Sequence, residues 1–157
     1  MGRSASKIAL VMWFTLLVAL LLSVVPMPEH LEMARPLWLA LVLTFWALNY
    51  PHYMGLLSAW SLGIAQDVLY GTPFGQHALA LTLVVFLVLT LQQRLKLFPL
   101  WQQSIALLVI YGLAQLVLLW LSALSGMHPE LNYYAMPVLV SCLLWPWLYL
   151  LLINVKR

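Results

Sequence analysis

Charge is what this sequence has least of. Only 7% of its 157 residues are Asp, Glu, Lys or Arg and 65% are hydrophobic, whereas an average soluble domain is about 25% charged. A soluble fold of this size needs a charged shell, so a water-soluble globular domain is excluded and lipid must be the solvent. Cysteine is nearly absent as well. The single Cys142 excludes an internal disulfide, and a thiol in an apolar run reads as an inert packing residue rather than a nucleophile. The four histidines, His30, His52, His77 and His128, never fall at ligand spacing on one helix. His30, Glu32, His128 and Glu130 read as solvated loop residues in preference to a metal site. No Ser-His-Asp grouping, glycine-rich phosphate loop or paired carboxylate can be drawn, so neither a catalytic centre nor a cofactor is expected.

Six apolar runs fill the chain instead, and they predict an all-α integral membrane protein, one domain over residues 1–157. The expected helices are residues 8–25, 37–50, 54–70, 74–91, 104–124 and 135–153. The first is longer than the roughly 7–15-residue apolar region of a signal peptide and lacks a small-residue cleavage site, so it reads as retained. The second and third are each short of a full span of about 20 residues. They are divided by Asn49-Tyr-Pro-His52, and also fit a re-entrant hairpin.

Six crossings put both termini on one side. Arg3, Lys7, Arg94, Lys96, Lys156 and Arg157 fall on that side and only Arg35 on the other, so both termini are expected in the cytoplasm. This placement accounts for the basic balance without a nucleic-acid partner. Glu29, Glu32 and Glu130 then fall in outward loops, and Trp38 and Trp101 at the interfaces.

Within this frame Asp67 needs a reason. Gly55, Ala59, Gly63, Asp67 and Gly71 recur every four residues, which lays one small-residue stripe along the third helix and turns Asp67 toward protein. A carboxylate near a helix C-terminus is unfavourable, so something must offset it. One candidate is the N-terminus of the fourth helix, brought back by the turn from Gly71 to Gly75. The other is Arg35, which lies at about the depth of Asp67 if the second and third helices are antiparallel neighbours rising about 1.5 Å per residue. Asp67 then reads as a helix clamp, as support for a partner or ligand surface, or as a proton carrier. The few other polar groups at membrane depth, chiefly Gln66 and Gln115, make a poor carrier path. In Leu144-Trp-Pro-Trp147, Pro146 frees a carbonyl, and Trp145 and Trp147 point to roughly opposite sides. The motif reads as a kinked packing element or as an aromatic wall that receives a partner helix or a lipid chain.

These residues give the chain a resemblance to the rod shape-determining protein MreD family, over nearly its whole length. The matching features are Arg35-Pro-Leu-Trp38, Pro51-His52, Gly63-x-x-x-Asp67-x-x-x-Gly71-x-Pro73-x-Gly75 with the following His77-Ala-Leu79, Leu100-Trp-Gln-Gln103 and Leu144-Trp-Pro-Trp147. Gln115 is a departure, since some members carry an acidic residue there. The resemblance implies a six-helix protein of the bacterial inner membrane, similar in fold to the substrate-binding subunits of energy-coupling-factor transporters. It implies a non-enzymatic scaffold of the cell-elongation machinery that binds MreC. Through MreC it would join MreB, RodA and the elongation penicillin-binding transpeptidase in lateral peptidoglycan synthesis. A small-molecule-binding transporter subunit is the competing reading from the fold, and a lipid-modifying enzyme fits less well because the loop glutamates have no obvious basic partner. The residues expected to hold the structure or meet a partner are Arg35, Gly63, Asp67, Gly71, Gly75, Trp145, Pro146 and Trp147.

Overall fold

The computed structural model describes residues 2–25, 28, 36–71, 75–124, 126 and 131–156. Among these residues the chain forms six helices and no strand: α1 (Gly2–Val24), α2 (Trp38–Asn49), α3 (Leu56–Tyr70), α4 (Gln76–Leu97), α5 (Leu100–Leu124) and α6 (Leu131–Lys156). Four are long and apolar enough to cross a bilayer, namely Ala5–Val24 of α1, all of α4 and α5, and Ala135–Val155 of α6. The chain is therefore a multi-pass helical membrane protein. Its surface agrees, because side chains as large as Leu57, Trp101, Trp120, Leu143 and Trp147 are exposed and need a hydrocarbon solvent.

Helix ends differ from the apolar runs where charge and polarity mislead. α4 continues past residue 91 to Leu97 and carries Arg94 and Lys96 in its last turn, where cations complement the helix dipole. Only Phe98 and Pro99 then connect it to α5, which starts at Leu100 rather than at residue 104. α6 likewise begins at Leu131 rather than at residue 135. A backbone ladder needs amides and carbonyls, not apolar side chains, so a polar first or last turn costs it little.

The core forms around α2. At 12 residues, or about 18 Å, this helix is far shorter than the roughly 30 Å hydrocarbon layer. It tolerates this because protein surrounds it: residues 39–48 are all buried, and α2 packs against α1, α4 and α6. α3 packs chiefly on α4 and also touches α1. The two short helices are thus not the adjacent antiparallel pair that a depth comparison of Arg35 with Asp67 requires. Arg35 itself lies outside the described residues. A single apolar core draws on all six helices, from Met12 and Leu16 through Phe45, Ala59 and Val84 to Tyr111 and Trp145.

Polar side chains inside this core are spent on joining helices. The Thr44 hydroxyl and Tyr111 Oη lie 2.7 Å apart and bind α2 to α5. Trp46 Nε1 donates to Thr15 Oγ1 at 2.9 Å, binding α2 to α1. The backbone N–H of Leu37 donates to Ser141 Oγ at 2.8 Å, binding the start of α2 to α6. In a bilayer such bonds are worth about 0.6 kcal/mol on average, enough to specify register while apolar packing supplies most of the stability.

Candidate functional site

Asp67 stands in the last turn of α3 and is fully buried. The chain reverses at Gly71, whose φ of 69° is left-handed and closes α3 as its C-cap. Gly75, with φ of 100°, then opens α4. This reversal brings the first amides of α4 onto the carboxylate. Gly75 N–H donates to Asp67 Oδ2 at 2.9 Å, and His77 N–H donates to Asp67 Oδ1 at 2.9 Å. His77 Nδ1 also lies 2.7 Å from Asp67 Oδ1. The side chain of one helix therefore serves as the N-terminal cap of the next. The carboxylate that would be unfavourable against the negative end of α3 sits on the positive end of α4, and two otherwise orphaned amides are satisfied. His77 is a partner that sequence reasoning missed. A histidine two residues past a glycine turn, ten after an aspartate, carries no local signal of its own.

Gly63 lies one turn earlier on the same stripe. A Cβ added there would stand 2.2 Å from Ala78 Cα, 2.6 Å from Ala78 N and 2.8 Å from the His77 carbonyl oxygen. α3 and α4 thus cross backbone to backbone beside the cap. Of the stripe residues, Ala59, Gly63 and Asp67 are buried, whereas a Cβ on Gly55 would meet nothing within 4 Å. The backbone-to-backbone approach is seen at Gly63, while Gly55, just before the helix, faces open space. Gly75 sets the direction of α4 through its backbone alone, because a Cβ there also meets nothing within 4 Å. Gly75→Ala is accordingly expected to cost about 1–2 kcal/mol in backbone strain. In thermal unfolding the midpoint should fall by about 2–8 °C, and an unchanged midpoint would show that the turn relaxes.

The Trp-Pro-Trp motif divides into two unlike positions. Trp145 is 0% exposed and Trp147 is 76% exposed, so Trp145 belongs to the core and is withdrawn from any outer contact face. Its Nε1 donates to Gln103 Oε1 at 3.1 Å. Gln103 Nε2 in turn donates to the Leu95 carbonyl at 2.8 Å and the Phe98 carbonyl at 3.3 Å, so one carboxamide closes the end of α4 and fixes a tryptophan of α6. α6 runs through both Pro137 and Pro146, each of which removes one ladder hydrogen bond. Among the described residues no group of three or more His, Cys, Asp or Glu could hold a metal.

The family described as rod shape-determining protein MreD matches residues 4–155. A relative from Haemophilus influenzae, named rod shape-determining protein MreD, is 31% identical over 150 residues, covering 92% of this chain and 92% of its own. No solved structure matches the chain.

Proposed function

The chain belongs to the MreD family of rod shape-determining proteins, and on that premise we propose that it is a non-enzymatic inner-membrane scaffold of the cell-elongation machinery. It binds the transmembrane helix of MreC within the bilayer. Through MreC it joins MreB, RodA and the penicillin-binding transpeptidase and supports lateral peptidoglycan synthesis. Both termini lie in the cytoplasm, with Lys7 near the start of α1 and Arg94 and Lys96 at the end of α4 marking that side. The six helices are read as an arrangement similar to the substrate-binding subunits of energy-coupling-factor transporters.

The observation that carries the scaffold reading is the outer face of α6. Leu139, Leu143, Trp147, Leu150 and Leu151 are all exposed and fall at helical spacing, so they form one stripe along the lipid side. Lipid tails are as apolar as leucine, so a helix is recognised there by shape and packing rather than by hydrophobicity. Trp147 gives the stripe a raised feature at its middle.

A photo-crosslinking residue at position 143 or 147 is expected to capture MreC in growing cells, while the same probe at Leu57, exposed on α3, captures only lipid. Trp147→Ala should lower MreC recovery about tenfold or more at equal protein levels, as loss of an aromatic anchor does. Unchanged recovery together with crosslinks at Leu57 would move the interface off α6.

A further inference from the structure

One end of the helical bundle carries positive charge with no counterpart in the described protein. Tyr70, the last residue of α3, donates through Oη to the Ser23 carbonyl near the end of α1 at 2.9 Å, so the ends of α1 and α3 and the start of α4 lie together. α4 then runs 22 residues, or about 33 Å, to the opposite end. There Arg94 and Lys96 stand exposed in its last turn. Among the described residues the only carboxylate side chain is Asp67, which caps the start of α4. Arg94 is about 25 Å further along the helix than His77, out of reach of that carboxylate. The cations do not close the helix end either, because Gln103 Nε2 does so by donating to the Leu95 and Phe98 carbonyls. Both side chains are therefore turned to something outside the chain.

The outer face of α4 is graded in polarity below them. At about 100° per residue, Arg94 and Lys96 fall on either side of Leu95, which is buried in the core, and Gln93 and Phe86 fall on the outward face between them. Read inward from Lys96, this face presents exposed Gln93 about 5 Å down, exposed Phe86 about 15 Å down and exposed Leu79 beyond. Thr90 is also exposed, but its hydroxyl is already satisfied by donating to the Phe86 carbonyl at 2.8 Å. Trp101, the second residue of α5, is level with Lys96, the second from the end of α4. Its 62% exposure sets this corner at the bilayer interface, where tryptophans gather. A lone phosphate would meet the cations and leave Gln93 without a role. An acidic soluble segment would stop above the carboxamide and the ring.

We propose that this face binds one anionic phospholipid, with Arg94 and Lys96 on its phosphate, Gln93 on an ester carbonyl and the acyl chains along Phe86 and Leu79. The guanidinium offers paired donors that fit a phosphate and the ammonium a compact charge. The carboxamide NH₂ donates to the carbonyl. Long basic side chains reach the headgroup layer while their stems cover apolar surface. The order of groups along the lipid, from phosphate through ester to chain, is thus the order of side chains along α4. The proposal holds for either leaflet and is independent of MreC binding.

The test titrates the delipidated full chain in mild detergent with dioleoyl phosphatidylglycerol or dioleoyl phosphatidylcholine and resolves each bound lipid by native mass spectrometry. A basic residue beside anionic lipid strengthens binding about fivefold, so the first phosphatidylglycerol should bind about twentyfold tighter than the first phosphatidylcholine. Arg94→Gln and Lys96→Gln should each reduce that preference about fivefold, and Arg94→Lys, which keeps the charge, should retain much of it. Both positions are exposed and glutamine matches arginine and lysine as a helix former, so the variants should fold. Gln93→Leu should weaken both lipids alike, because both carry the ester carbonyl. Lys7→Gln should leave the preference intact, since Lys7 is exposed on α1, which packs on α2, α3 and α6. Equal losses in Lys7→Gln and Lys96→Gln would reduce the effect to net charge and overturn the site. Equal affinity of the wild-type chain for the two lipids would overturn it as well. Retention of inorganic phosphate or polyglutamate in place of phosphatidylglycerol would assign the cations to a free anion or an acidic protein segment, and either result would overturn the proposal.

Discussion

Gly63→Ala should be among the most damaging single-methyl changes in this protein. The new Cβ would have to occupy a point 2.2 Å from Ala78 Cα and 2.6 Å from Ala78 N. Those are backbone atoms inside α4, so no side chain can swing away, and the two helices must separate. Overpacking of this kind costs about 1–3 kcal/mol and occasionally more, and here the rigid neighbour places it at about 3 kcal/mol. The thermal midpoint of the purified protein should fall by about 6–12 °C. Separation at Gly63 also pulls the start of α4 off Asp67 four residues on, so the two losses add. Gly112→Ala is the matched control, since its Cβ meets open space, and it is expected to stabilise slightly, by up to about 1 kcal/mol, through helix propensity. If both variants unfold at the wild-type temperature, the crossing of α3 on α4 is looser than the geometry requires.

What could be read from the sequence was what depends on local period. Composition was enough for a membrane protein, and the four-residue recurrence of Ala59, Gly63 and Asp67 was enough to turn one face of α3 inward, because helix geometry converts spacing into a face without tertiary information. In α6, which carries no such stripe of small residues around Pro146, spacing does not say which face is in. Trp145 and Trp147 had to diverge, but only the structure tells that Trp145 is the buried one, tied to Gln103 from another helix. Gln103 as a cap for α4, Thr44 with Tyr111, and His77 with Asp67 all join residues on different elements, and their distances follow from packing rather than from sequence separation. The depth at which the start of α2 meets α6 was equally hidden: Leu37 lies against Ser141, ten residues into α6, and no motif in either helix records that offset. The expected pairing of Arg35 with Asp67 lies outside the described residues.

Removing the Asp67 carboxylate tests the cap directly. In Asp67→Ala the N–H groups of Gly75 and His77 both lose their acceptor. Each buried unsatisfied amide costs about 1–3 kcal/mol, so the variant should lose about 2–6 kcal/mol. Hydrogen exchange should quicken first at residues 75 and 77, while amides midway along α5 keep their protection until global unfolding. Asp67→Asn retains one acceptor oxygen but sets an NH₂ group against the second amide, so it should fall between alanine and wild type. His77→Phe is the discriminating variant, because it leaves both backbone donors in place and removes the imidazole nitrogens, including the Nδ1 that lies 2.7 Å from Oδ1. If capping governs the turn, His77→Phe costs about 1 kcal/mol and leaves exchange at residue 75 unchanged. If it costs as much as Asp67→Ala, the carboxylate and the imidazole act as one unit and the backbone bonds follow from that pair. The capping account predicts a graded order, with Asp67→Ala worst, Asp67→Asn next and His77→Phe mildest. That order arises because the stabilisation comes from donors that the main chain of α4 must present whatever side chains it carries.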